Sequence, residues 1–100
     1  MVAIVRPRFE LGRVLATPAA LRVLEDSGRT PHEFLHRHVR GDWGDLSTDD
    51  CKANEAALRD GSRIFSAYIT GSGKKIWIIT EAVNDQGRRV STTVLLPDEY

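Results

Sequence analysis

One hundred residues give room for one domain and one core. The 41% hydrophobic and 28% charged composition is that of a soluble globular chain, not of a disordered one. No apolar run approaches the ~20 residues needed to span a bilayer, so no membrane partner is expected. The formal net charge is zero, which excludes a dedicated non-specific DNA coat. A single cysteine, Cys51, excludes an internal disulfide framework and a cysteine-rich zinc site. No signal peptide is read at the N-terminus, and the expected location is cytoplasmic.

The charges are unevenly spread. Residues 1–40 carry a balance of +3 and all three histidines, residues 41–60 carry −4, and residues 61–100 carry +1. Eleven of the 14 bases are arginine, the side chain suited to bidentate contact with carboxylate or phosphate.

The chain reads as a single domain over residues 1–100. Residues 1–8, with Arg6-Pro7-Arg8, form an irregular arm. A short strand is possible within Phe9 to Ala16. Thr17-Pro18 is a helix start, a hydroxyl cap followed by proline at the first helical position, and Gly28 is its stop. Thr30-Pro31 repeats the start signal, and Phe34, Leu35 and Val39 follow at helical spacing. Ser47 opens a third helix, with acids in its first turn, and Asp60-Gly61 ends it. The predicted helices are 17–27, 31–40 and 48–59. The pattern then changes to strands at 63–70, 74–82 and 89–96, separated by Gly71-Ser72-Gly73 and Asn84-Asp85-Gln86-Gly87. The expected fold is α+β, with three helices packed on one face of a three-stranded antiparallel meander.

At this point a resemblance emerges. Phe34-Leu35, Arg37-His38-Val39 and Gly41-Asp42-Trp43-Gly44-Asp45-Leu46 carry it, with Asn54, Arg63, Ser66 and Tyr68. It continues through Trp77-Ile78-Ile79-Thr80-Glu81-Ala82 and Thr92-Thr93-Val94-Leu95-Leu96-Pro97 to Tyr100. Over roughly Ala16 to Tyr100 the chain resembles a family of small uncharacterised bacterial proteins borne on plasmids and other mobile elements ("plasmid-related protein"). The resemblance implies a genomic setting rather than a mechanism. Val83 to Arg88 lengthens the last hairpin relative to many members.

Several residues invite a chemical reading. Trp43, flanked by Gly41-Asp42 and Gly44, reads as an aromatic plug for the core, with a ligand-gripping lid as the alternative. His32 and His36 match His-Glu-x-x-His by letters, the spacing of a zinc pair with Glu33 as base. No third ligand has recognisable spacing, so they are weak metal candidates and no cofactor is expected. Cys51 reads as a bystander thiol.

Period-two alternation assigns Phe65, Ala67, Ile69, Ile76, Ile78, Val90, Val94 and Leu96 to the helix-covered face. It leaves Ser66, Tyr68, Trp77, Glu81, Arg89, Ser91 and Thr93 on the open face. Ser66, Tyr68, Trp77, Glu81, Arg89 and Thr93 form the candidate binding patch. The function expected is a non-enzymatic accessory protein that binds a protein partner, since Trp, Tyr and Arg are interface hot-spot types. The alternative is an RNA-binding or RNA-cleaving domain on the same patch. There Glu81 would serve as base, Arg89 as phosphate contact and Tyr68 as stacking platform. A zinc protein built on His32 and His36 is the third reading.

Overall fold

The computed structural model describes Arg6 to Tyr100, and the Met1–Val5 part of the expected arm lies outside these residues. The order of elements is β1 (Arg13–Ala16), α1 (Pro18–Asp26), α2 (Pro31–Val39), α3 (Thr48–Asp60), β2 (Ile64–Ile69), β3 (Lys75–Thr80) and β4 (Ser91–Leu95), closed by a 3₁₀ turn at Pro97–Glu99. The fold class is α+β, as expected. Among the described residues the sheet has four strands rather than three, in the order β1-β4-β3-β2. β2, β3 and β4 are the antiparallel meander. β1 adds to the outside of β4 in parallel, Arg13 opposite Ser91 and Ala16 opposite Val94.

The helix starts follow the sequence signals. Thr17 accepts a hydrogen bond from the Ala20 amide at 3.1 Å, and Ser47 does the same for Asp50 at 3.1 Å. Thr30 occupies the equivalent place before α2 in extended conformation, but its hydroxyl makes no capping bond. Gly61 closes α3 in the left-handed conformation.

Residues with even numbers on all four strands face the helices. Ile64, Ser66, Ile76, Ile78, Thr80, Thr92 and Val94 are each 0% exposed, and Tyr68 is 1% exposed. Ala20, Val23, Leu24, Phe34 and Leu35 from α1 and α2 close over Tyr68, Ile76, Ile78 and Val94 as the main core. A second cluster gathers Trp43, Ala57 and Ile64, with Phe9, Leu46, Cys51 and Leu58 at its margin. Trp43 therefore plugs the core.

The meander differs from expectation in β2. Ser66 and Tyr68 point into the protein, while Phe65 and Ile69 point away from the helices. The physical reason is register. Five residues, Thr70 to Lys74, separate β2 from β3, so Tyr68 pairs with Ile76 and Ser66 with Ile78. The expected three-residue turn, Gly71 to Gly73, also pairs residues of like parity, so with Ile76 and Ile78 facing the helices it is Ser66 and Tyr68, not Phe65, Ala67 and Ile69, that share their face.

Candidate functional site

Three groups of side chains bear on function: a buried polar chain, a buried arginine and an aromatic cavity on the uncovered face.

The buried chain is centred on His38, which α2 carries inward to the sheet. Its Nδ1 lies 2.5 Å from the Ser66 hydroxyl and its Nε2 2.9 Å from the Thr80 hydroxyl. Thr80 continues to Thr92 at 2.7 Å, and Thr92 donates to the Leu11 carbonyl at 2.7 Å. The Phe9 ring stands edge-on to the imidazole at 5.1 Å, and Trp43 does so at 6.1 Å. Burial pushes the His38 pKa down to about 3, so the ring is neutral. A serine beside a histidine is the beginning of a nucleophile–base pair. Here both are fully buried, and a threonine hydroxyl occupies the place of an orienting carboxylate. The arrangement pins α2 across β2 and β3. Among the described residues every buried side-chain nitrogen and oxygen has a partner.

Tyr68 belongs to the same interior. Its hydroxyl donates to the Asp42 carbonyl at 2.6 Å, and Arg37 lies over its ring at 4.7 Å. Burial pushes its phenol up from the usual value. Arg37 also pairs with the Asp42 carboxylate at 2.7 Å, which holds Asp42 below its ordinary pKa. These bonds fix the turn that carries Trp43. Its indole donates to Glu55 at 3.0 Å, and Glu55 in turn pairs with Arg8 at 2.8 Å. Ser66 and Tyr68 are thus removed from the expected open patch.

Arg89 is removed as well. It is 5% exposed, and its guanidinium donates to the carbonyls of Ser62 at 2.7 Å, Glu81 at 2.9 Å and Ala57 at 3.0 Å. Burial holds its pKa below the usual value. It ties the end of α3 to the β2 and β3 termini, and its donors face inward rather than toward a phosphate. Glu81 is exposed, and Arg89 binds its backbone oxygen rather than its carboxylate.

Of the expected patch, Trp77 and Thr93 remain together on the uncovered face. Trp77 stands across from Leu95 and Ala67, and Thr93 from Ile79 and Leu15. The structure adds Arg63, Phe65, Ile79 and Tyr100, which with Trp77 line a cavity of about 250 Å³. Phe65 meets Trp77 edge-on at 4.8 Å, Trp77 meets Tyr100 at 5.9 Å, and the Arg63 guanidinium lies 5.3 Å from the Tyr100 ring centre. The cavity is largely apolar, with a guanidinium at its rim. Arg63 has no carboxylate within ion-pair distance among the described residues. The signal that could have found Phe65 was the length of the β2–β3 turn. Tyr100 had no periodic signal because it follows the 3₁₀ turn.

His32 and His36 lie at the opposite edge of the molecule. They line a groove with Leu11, Val14, Leu35 and Val39. Among the described residues no group of three or more His, Cys, Asp or Glu side chains is placed to hold a metal ion. Cys51 is half-buried beside the Trp43 cluster. Among the same residues no helix is long and apolar enough to cross a membrane.

Comparison of this chain with protein-family models, with curated proteins and with solved structures finds no match.

Proposed function

We propose that this chain is a non-enzymatic accessory protein of a plasmid or other mobile element, and that it acts by binding a protein through the uncovered face of its sheet. The observation that carries the reading is the cavity lined by Phe65, Trp77, Ile79 and Tyr100 with Arg63 at its rim. Aromatic and arginine side chains around a concave apolar centre are the chemistry of an interface anchor. The free guanidinium selects a partner that inserts an apolar side chain beside an acidic one. The genomic setting rests on the resemblance of the Gly41-Asp42-Trp43-Gly44 turn and the two C-terminal blocks.

The RNA reading loses two of its three named groups. The guanidinium of Arg89 is occupied by three carbonyls and Tyr68 is inside the core. An arm of the test keeps it open.

A photo-crosslinking amino acid placed at Trp77, in cells carrying the chain, should form an adduct with one protein. The purified partner should then lose at least tenfold in affinity for Trp77→Ala and for Arg63→Ala, with the melting temperature of each variant unchanged. An adduct with RNA, or growth arrest that depends on Glu81, would favour the ribonuclease reading instead. Binding of the partner that is indifferent to Trp77 and Arg63 overturns the proposal.

A further inference from the structure

The outer edges of the sheet are treated differently by the fold. Alternate residues of an edge strand turn their N–H and C=O groups away from the sheet. On β2 these residues are Phe65, Ala67 and Ile69. The Asn54 side chain takes both groups of Phe65, accepting from its amide at 3.1 Å and donating to its carbonyl at 2.6 Å. The Trp43–Asp45 backbone takes both groups of Ala67, at 3.2 and 2.6 Å. That edge is closed over most of its length.

Among the described residues the β1 edge has no such cover. The amides of Arg13 and Thr17 donate to the carbonyls of Val90, just before β4, and of Val94 within it, so Val14 and Ala16 turn their backbone groups outward. Among the described residues neither Val14 nor Ala16 makes a hydrogen bond on its outer side. The side chains of Val14 and Leu15 are 45% and 40% exposed. Immediately beside this edge, on the helix side, lies a groove of about 330 Å³ lined by Leu11, Val14, His32, Leu35, His36 and Val39.

Outward amide and carbonyl groups call for an extended chain, which offers the matching alternation. Such a chain sends successive side chains to opposite faces. One side chain would enter the apolar groove, between the His32 and His36 imidazoles. Its neighbours in sequence would emerge on the other face, beside Arg13. Arg13 is exposed and has no carboxylate within ion-pair distance among the described residues.

We propose that the β1 edge and the groove beside it receive, by strand addition, an extended segment of a partner protein with an apolar residue between two acidic ones. This surface is separate from the aromatic cavity, and the proposal does not depend on it.

Two blocked heptapeptides serve as probes, one alternating aspartate and valine, the other lysine and valine. Each is titrated into the ¹⁵N-labelled full chain. The aspartate peptide should shift the Val14 and Ala16 amides and slow hydrogen exchange at Val14 at least tenfold. The lysine peptide should bind at least tenfold more weakly. Val14→Pro removes the outward amide and should abolish aspartate-peptide binding while the fold is kept. If Val14→Pro does not fold, Arg13→Glu must reverse the preference between the two peptides. Trp77→Ala should leave the titration unchanged. The proposal is overturned if Val14 and Ala16 do not respond or if the two peptides bind equally. It is overturned too if Val14 becomes protected with rising protein concentration alone, which would make the occupant a second copy. Loss of peptide binding in Trp77→Ala would place the peptide in the aromatic cavity, ending this proposal and leaving the protein-binding reading intact.

Discussion

His38 and Ser66, 28 positions apart, meet at 2.5 Å inside the protein and join α2 to β2. The same imidazole reaches Thr80 on β3 at 2.9 Å. His38→Ala should therefore cost about 3–5 kcal/mol, combining a cavity with hydroxyls left short of a partner. His38→Phe keeps the volume and should cost about 1–3 kcal/mol. Urea unfolding checks both, and a His38→Ala variant as stable as the parent would remove the imidazole from the structural account.

The same residue sets a pH dependence. In the folded protein its pKa lies at about 3, against an ordinary value of 6.5. The folded form excludes the proton that the unfolded chain accepts, so this stabilisation is complete above about pH 6.5 and declines as pH falls toward 3. Between pH 7 and 5 the loss should be about 2 kcal/mol. The paired carboxylates Glu10, Asp42 and Glu55 have pKa values below their ordinary range, so the stability they contribute is present across this window and is lost only at lower pH. Urea midpoints at pH 7, 6 and 5 should fall for the parent and stay nearly flat for His38→Phe. An equal fall in both would assign the effect elsewhere.

Gly44 makes a sharper test of the turn that carries Trp43. Its φ is +74°, and an added Cβ would meet the Ala67 carbonyl oxygen at 2.0 Å and the Tyr68 ring at 2.6 Å. Gly28, with φ +67°, has nothing within 4 Å of the same position. Gly28→Ala should cost about 1 kcal/mol, from backbone strain alone. Gly44→Ala should cost well over ~2 kcal/mol, because backbone must move. Trp43→Ala should cost about 3–5 kcal/mol. Thermal or urea unfolding ranks the three, and near-equal effects of Gly28→Ala and Gly44→Ala would show that the turn yields without strain.

The local signals of this sequence were strong and the relational ones weak. Thr17-Pro18 and Ser47 mark helix starts because capping is written in adjacent residues, and at Thr30-Pro31 it is the proline at the first helical position that carries the signal. The parallel pairing of β1 with β4 joins residues 78 positions apart, such as Arg13 with Ser91, and leaves no local trace. In β2 both alternations are apolar enough to be a core face. Ile64-Ser66-Tyr68 won because the polar atoms of Ser66 and Tyr68 find partners inside, at His38 and the Asp42 carbonyl. Arg89 is buried for a related reason. A guanidinium reads as surface until three carbonyls that need donors are brought around it. On β3 the fully buried Ile76, Ile78 and Thr80 take the helix side, which leaves Trp77 on the uncovered face.

Asn54 is the residue through which β2 avoids an open edge at Phe65. Both of its polar atoms bond the Phe65 backbone, and it is 4% exposed. Asn54→Asp preserves the shape but loses the donor, leaving a carboxylate oxygen facing a carbonyl oxygen. The expected loss is about 2–3 kcal/mol at neutral pH. The native position should raise the new carboxyl's pKa, since only the protonated form can donate. The penalty should therefore shrink as pH falls. A pH-independent difference between parent and variant in urea would show that the side chain turns outward instead.

Arg89 separates a structural arginine from a ligand-binding one. Its Nη1 serves the Ser62 and Glu81 carbonyls and its Nη2 the Ala57 carbonyl, so one planar group joins the end of α3 to two strand termini. The Phe9 ring lies 5.9 Å from the guanidinium carbon and helps to bury it. Lysine keeps the charge but lacks the fork, and its ammonium is harder to desolvate. Arg89→Lys should cost about 2–3 kcal/mol, the range for losing charge-assisted bonds to buried carbonyls. Arg89→Met fills the space with no donor and should cost at least as much, because the Ser62 and Glu81 carbonyls lose their partner. The Ala57 carbonyl keeps the Gly61 amide at 2.9 Å. A surface arginine reserved for a phosphate would give changes within about 0.5 kcal/mol for both variants. Equilibrium unfolding of the two variants decides between these outcomes, and stability unchanged in Arg89→Met would return the side chain to the list of ligand contacts.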